Sequence, residues 1–339
     1  MIKFFRRIRQ KLLSENKITK YLIYAIGEII LVVIGILIAL WINSSYEKSK
    51  SEARFNQLLQ EVRNELAVNI RLADEITAFG SLKDSIASLV LFGDVSREQY
   101  ETEPELRLLI QNYYTYYPKS NAFDRLMQNS SSLPADYDAL LDQLKTIYVT
   151  YLEAINYDNE RVGQLVGDYQ DLLKRTKPWF AEYAHSPVVS KGFTDHMMTD
   201  PFYKNHVADY WILTIINQLQ MIHNLRLEAY NVYRQLSEDL ELKDELTPQL
   251  MANFDLDGSV GHYVSTIDSL DFQVDISLSQ ERLEFAINDS DPTAIFPVEG
   301  RGFVTGEFLY FGHFKKDSSG QVNGLKLRLG YTVIDMKKE

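Results

Sequence analysis

The sequence predicts an α+β protein built in series: an N-terminal transmembrane helix, an elongated antiparallel helical bundle and a small C-terminal antiparallel β-barrel. Three observations carry this expectation. Residues 21–42 form an apolar run, YLIYAIGEIILVVIGILIALWI, with Glu28 as its one charge. Residues 43–250 repeat apolar side chains at helical spacing. From Met251 the chain changes to short alternating segments separated by Gly, Asp, Ser and Asn.

The apolar run comes first. At about 1.5 Å per residue it reaches roughly 33 Å as a helix, enough for a hydrocarbon core of about 30 Å. Residues 1–20 form a basic segment of seven Lys/Arg against Glu15, so they carry +6 and the remainder −18 of the formal −12. Positive flanks stay on the cytoplasmic side, which places the N-terminus inside and the acidic bulk outside the inner membrane, in the periplasm of a bacterium. Lys3, Arg6, Arg7, Arg9 and Lys11 interleave with Ile2, Phe4, Phe5 and Ile8, a pattern suited to an anionic lipid surface. The core is too long for a cleavable signal peptide, so an uncleaved signal anchor is expected.

Within the span, Glu28, Val32, Gly35 and Ala39 recur at intervals of four, three and four and share one helix face. Small residues at 35 and 39 allow close helix approach, and a carboxyl in lipid needs a partner. This face predicts association with a second copy or with an envelope protein. Glu28 reaching toward the cytoplasmic interface, or serving a proton or ion role, are the other readings of that residue.

The bundle is read as several helices. One runs out of the membrane through Phe55, Leu59, Val62, Leu66, Ile70 and Ile76; a second restarts at Ser81-Leu82 and ends near Gly93. A third spans Glu103-Pro104 to Tyr117-Pro118, a fourth begins at Ser132-Leu-Pro134 and persists to about Arg175, and a fifth runs from about Pro201 to Leu242. Amphipathic helices of this length need one another for burial. The cluster Tyr113, Tyr114, Tyr116 and Tyr117 reads as packing rather than as a stacking platform for sugar or peptide. His196 and His206 are the closest histidine pair, too isolated in sequence to define a metal site.

Chemistry-bearing motifs are few. Cysteine is absent, which excludes disulfides, thiolate nucleophiles and Cys-ligated metals. Ser45-Tyr-Glu-Lys48 matches S-x-x-K, but it sits at the membrane edge without the accompanying strand motif. Asp255-Leu-Asp257-Gly258 lacks the remaining oxygens of a calcium loop. No catalytic residue, cofactor or metal is expected, and the acidic exported part argues against nucleic acid.

In the last 89 residues, alternation marks strands at 272–278, 283–287, 303–308, 309–314 and 324–329, with turns at Asp317-Ser-Ser-Gly320 and Val322-Asn-Gly324. The motif residues Leu256-Asp-Gly258, Gly261-His-Tyr263, Phe311 to Phe314, Asp317, Gly320, Val322, Gly324 and Leu325 resemble the small accessory β-barrel of serine β-lactamase-like hydrolases. That resemblance implies a lipocalin-like shape and transfers no catalytic residue. Ile2-Lys-Phe-Phe-Arg-Arg-Ile-Arg, Lys20 to Ile29 and Val33 to Asn43 resemble a single-span family of Bacteroidetes-type bacteria. The resemblance implies that the Glu28 face belongs to a family pattern and attaches no activity to it. The function expected is a non-enzymatic membrane-anchored scaffold or partner-binding protein; the alternatives are a sensor with a small apolar ligand in the β domain or the bundle of its exported part and, behind it, an unrecognised enzyme.

Overall fold

The computed structural model describes residues 18–129, 137–186, 190–251, 255–267, 269–279, 282–288, 290–298, 302–305, 311–329 and 332–339. They fall into two units, Met1–Leu58 and Leu59–Glu339. Lys3, Arg6, Arg7, Arg9 and Lys11 lie outside the described residues, as does the expected helix start at residues 132–136.

Helix α1 is Ile18–Phe92, 75 residues without interruption. In the first unit it is long and apolar enough to cross a membrane. Its apolar side chains are exposed, Leu31 at 70 % and Trp41 at 71 %, and apolar surfaces of this extent as a rule mark membrane- or protein-facing regions.

The expected break before Ser81 does not occur. Ser81 and Ser85 turn their hydroxyls back onto the carbonyls of Thr77 and Ser81, both at 3.0 Å, and so stay within the helix. Gly80 serves close packing instead: a Cβ there would lie 2.6 Å from Leu219 Cδ2. Gly93 ends the helix, its N–H donating to Leu89 O at 2.9 Å.

Short helices follow: α2 (Arg97–Thr102), α3 (Pro104–Arg107) and α4 (Asn121–Gln128). Ser96 and Gln99 close a capping box on α2. The third expected helix stops at Arg107, and residues 112–120 are neither helix nor strand. Pro118 biases Tyr117 toward extended backbone, and buried amides satisfy the groups that a helix would have paired. Asn69 exchanges two 2.8 Å bonds with Lys119, Asn159 pairs both backbone groups of Tyr116, and Gln218 donates to Tyr114 O. Tyr116 alone of its cluster is fully buried; Tyr113, Tyr114 and Tyr117 are exposed.

The fourth expected helix is α5 (Asp138–Lys145), a π-helical turn π1 (Thr146–Tyr151) and α6 (Leu152–Thr176). After α7 (Phe180–His185) and α8 (Lys191–Thr199) comes the fifth: α9 (Tyr203–Trp211), π2 (Ile212–Gln218) and α10 (Leu219–Asp239). π1 packs on α10 and π2 on α6. A π turn adds a residue to the local repeat and shifts the inner stripe. Further along α6, Leu172 is exposed, while Val166, Tyr169 and Leu173 are buried.

Antiparallel packing of α1 against the last helices is read from their contacts. Arg63 donates to Ser237 and Tyr233, Asp74 pairs with Arg226, and Asp84 accepts from Trp211, so numbers rise on one helix as they fall on the other.

After α11 (Leu246–Met251) and α12 (Leu256–Ser259), eight strands form a closed barrel in which each pairs antiparallel with the next and β1 with β8. They are β1 (Gly261–Ile267), β2 (Leu270–Ser279), β3 (Arg282–Ile287), β4 (Thr293–Val298), β5 (Gly302–Thr305), β6 (Phe311–Lys316), β7 (Val322–Leu329) and β8 (Thr332–Lys338). Asp317 organises the β6–β7 turn, accepting from Ser319 N at 2.8 Å, with Gly320 at φ +87. Val322-Asn-Gly324 joins β7 rather than the turn. The interior is filled by Tyr263, Val274, Phe285, Phe303, Leu325, Ile334 and their neighbours.

Candidate functional site

Alternation along three strands sets one wall of a cleft. Leu325 and Leu327 of β7, Ile334 and Met336 of β8 and Gly312 of β6 are buried, so Lys326 and Arg328, Val333 and Asp335, and Phe311 and His313 face outward. Strand register arranges these outward residues in two rows, Phe311–Arg328–Val333 and His313–Lys326–Asp335.

The bundle supplies the other wall. Leu82 and Asp84 of α1 meet Ile215, Ile216, Leu219 and His223 from π2 and α10 across a cavity of about 400 Å³. Two contacts clamp its edge. Arg328 makes an ion pair with Asp84, whose other oxygen accepts from Trp211 Nε1 at 2.7 Å, and the guanidinium carbon lies 5.7 Å from the Trp211 ring centroid. Phe311 stands edge-on to His223, centroids 4.1 Å apart. Burial brings Arg328 down to about 10, so it stays protonated at neutral pH.

His223 is the least ordinary member. It is 1 % exposed, and neither ring nitrogen has a hydrogen-bond partner among the described residues. Burial, and then the charge of Arg226 one turn on, hold it well below the usual imidazole range. A neutral imidazole therefore presents one unpaired N–H and one unpaired lone pair, a costly state for a buried group. Arg328 Nη1 is likewise unpartnered. The arrangement can bind a ligand through these unpaired groups.

Lys83 points away from this cleft, although its neighbours in sequence line it. Its ammonium donates to Leu108 O at 2.9 Å and Leu109 O at 3.1 Å, and burial lowers it to about 8, opposed by Glu105. The unfolded chain, near 10.5, binds the extra proton above pH 8, so this group makes stability rise with pH over that window. Urea midpoints between pH 7 and about 9.5, below the tyrosine range, are expected to show the wild type gaining on Lys83→Met as pH rises. A pH-independent gap rules this out.

The residues expected from sequence fall elsewhere. Glu28, Val32, Gly35 and Ala39 lie on the apolar part of α1, and a Cβ added at Gly35 meets no atom within 4 Å. Ser45 and Lys48 are on α1, with Lys48 3.8 Å from Glu52. Asp255 caps α12 by accepting from Gly258 N at 2.9 Å. His196 and His206 do converge, on one tyrosine: their rings lie 6.4 and 4.8 Å from that of Tyr169, and His196 Nδ1 is 3.0 Å from Asp200.

Fold and cleft define an α+β protein with an N-terminal apolar helix of membrane-spanning length, a helical bundle, and a closed eight-stranded barrel docked on that bundle. Comparison with protein-family models, with curated proteins and with solved structures gives no match.

Proposed function

We propose that the chain is a non-enzymatic binding protein anchored in the inner membrane, its N-terminus cytoplasmic and its bulk periplasmic, that takes a small molecule in the cleft between bundle and barrel. The observation that carries this is the fully buried His223, with both ring nitrogens unpaired, on the wall of a 400 Å³ cavity. That volume falls within the range of small-molecule sites, about 300–1,000 Å³. A sensing role is supported by α1, because the helix that carries the apolar segment also supplies Leu82 and Asp84.

The scaffold reading keeps one specific support, the Glu28–Val32–Gly35–Ala39 face, which favours a homo-oligomer or an envelope protein partner within membrane lipid. One measurement addresses both readings: native mass spectrometry of the chain released from its own membranes. Binding predicts an adduct of small-molecule mass that the cleft-filling variant Ile216→Trp loses, and association through the anchor predicts a dimer or higher species that Gly35→Leu reduces. Adduct-free protein in every charge state removes the binding reading, and a uniformly monomeric protein removes the oligomer.

A further inference from the structure

The polar groups of the cleft are unequally divided between donors and acceptors. Its lining holds one carboxylate, Asp84, and that is already engaged by Arg328 and by Trp211 Nε1. Against it stand two cations two residues apart on the outer face of β7. Arg328 has one arm on Asp84 and Nη1 unpartnered. Lys326 makes no ion pair among the described residues: Asp335, its cross-strand neighbour, is held by Lys315 Nζ at 2.8 and 2.9 Å. His223 adds a buried ring N–H, and its contact with Phe311, cross-strand from Arg328, brings it to the same side of the cleft. Leu82, Ile215 and Leu219 supply an apolar floor.

From this we infer that the cleft is a site for a small amphiphile with a single carboxylate. The head group accepts from Arg328, Lys326 and His223, and the apolar body lies along the helices. A cationic head would meet the Lys326 ammonium and the Arg328 guanidinium, with Asp84, the one carboxylate of the lining, already engaged. A neutral head would leave the Lys326 ammonium without a counter-charge, losing the stronger, charge-assisted bonds. The volume bounds the size: at the roughly 30 Å³ that one water occupies in the liquid, 400 Å³ suits about a dozen non-hydrogen atoms or somewhat more.

This inference rests on the cleft being a ligand site, and the test separates the two. The full chain in lipid nanodiscs is titrated calorimetrically with 4-phenylbutyrate, 4-phenylbutan-1-ol and 4-phenylbutylamine, with empty nanodiscs as the blank for lipid partitioning. The carboxylate is expected to bind saturably and about tenfold or more tighter than the alcohol, a gap of about 1.4 kcal/mol or more, with no saturable binding of the amine. Lys326→Met, on an exposed strand position, is expected to weaken the carboxylate about tenfold and leave the alcohol unchanged, whereas Lys316→Met, outside the cleft lining, changes neither. Alcohol or amine binding as tightly as the carboxylate overturns the anionic class and leaves the cleft reading standing. Saturable binding of none of the three, into the millimolar range, overturns both. Carboxylate binding that Lys326→Met does not weaken places the head group elsewhere and overturns the assignment.

Discussion

Arg226→Met is expected to lower the stability of the protein by about 3–5 kcal/mol, the usual cost of breaking a buried ion pair from one side. Arg226 and Asp74 are 1 % exposed in their side chains, and Nε donates to Oδ1 at 2.5 Å. With the guanidinium gone, the Asp74 carboxylate is left in the core without its counter-ion, and that uncompensated charge rather than the lost contact sets the magnitude. The double variant Asp74→Leu/Arg226→Met removes both charges at similar volume and is expected to recover more than half of the loss. Urea unfolding of the full chain in nanodiscs measures this. A single-variant loss below about 1 kcal/mol, or a double variant no better than the single, shows that the pair does not carry this load. The pair ties α1 to α10 three residues beyond His223, so a well-folded double variant also reports on its influence there: with Arg226 gone, the imidazole loses the positive charge that adds to burial in depressing it, and its proton affinity rises.

Much of this architecture is legible in the sequence, for reasons that differ by element. The apolar segment and the long helices are local: their signals are composition and periodicity within one segment. The Ser96-x-x-Gln99 capping box is equally local and marks α2 without further information. Gly80 is ambiguous, because a glycine before a serine reads as a helix end unless the close approach of Leu219 is known. Residues 112–120 carry strand-forming tyrosines, but their irregular course depends on Asn69, Asn159 and Gln218, which are distant in sequence. Strand alternation in Gly324-Leu-Lys-Leu-Arg-Leu329 suffices to turn Lys326 and Arg328 outward. It does not say which outer face of the barrel meets the bundle. His223 beside Ile222 in a buried stripe looks like an ordinary core histidine until Phe311, 88 positions later, is placed against it. The cleft exists only through such long-range docking, whereas each of its walls is written locally.

The second large effect is expected at Gly312, whose replacement by valine should cost about 3 kcal/mol, the upper end for overpacking a tight core. Gly312 faces Phe303 directly across the β5–β6 pair, and a Cβ built on it would lie 2.1 Å from Phe303 Cζ, with two more ring carbons within 2.5 Å. That ring cannot retreat: Phe303 is fully buried, with Phe314 at 5.1 Å and Phe285 at 6.2 Å between centroids. The glycine therefore provides the space in which the aromatic ring closes the barrel core, a pairing known from antiparallel sheets. If this account is right, shortening the ring makes room, and Gly312→Val/Phe303→Leu should be more stable than the sum of the two single losses predicts; additive losses in urea unfolding would exclude it. The effect should extend to binding. Phe311 is the next residue on β6 and faces the opposite way, its ring 4.1 Å from His223, so a strand pushed outward by a crowded core shifts the wall of the cleft. Gly312→Val is accordingly expected to weaken 4-phenylbutyrate severalfold, with the alcohol weakened in parallel. This pattern differs from the charge-selective loss of Lys326→Met, and it distinguishes a displaced wall from a missing counter-charge.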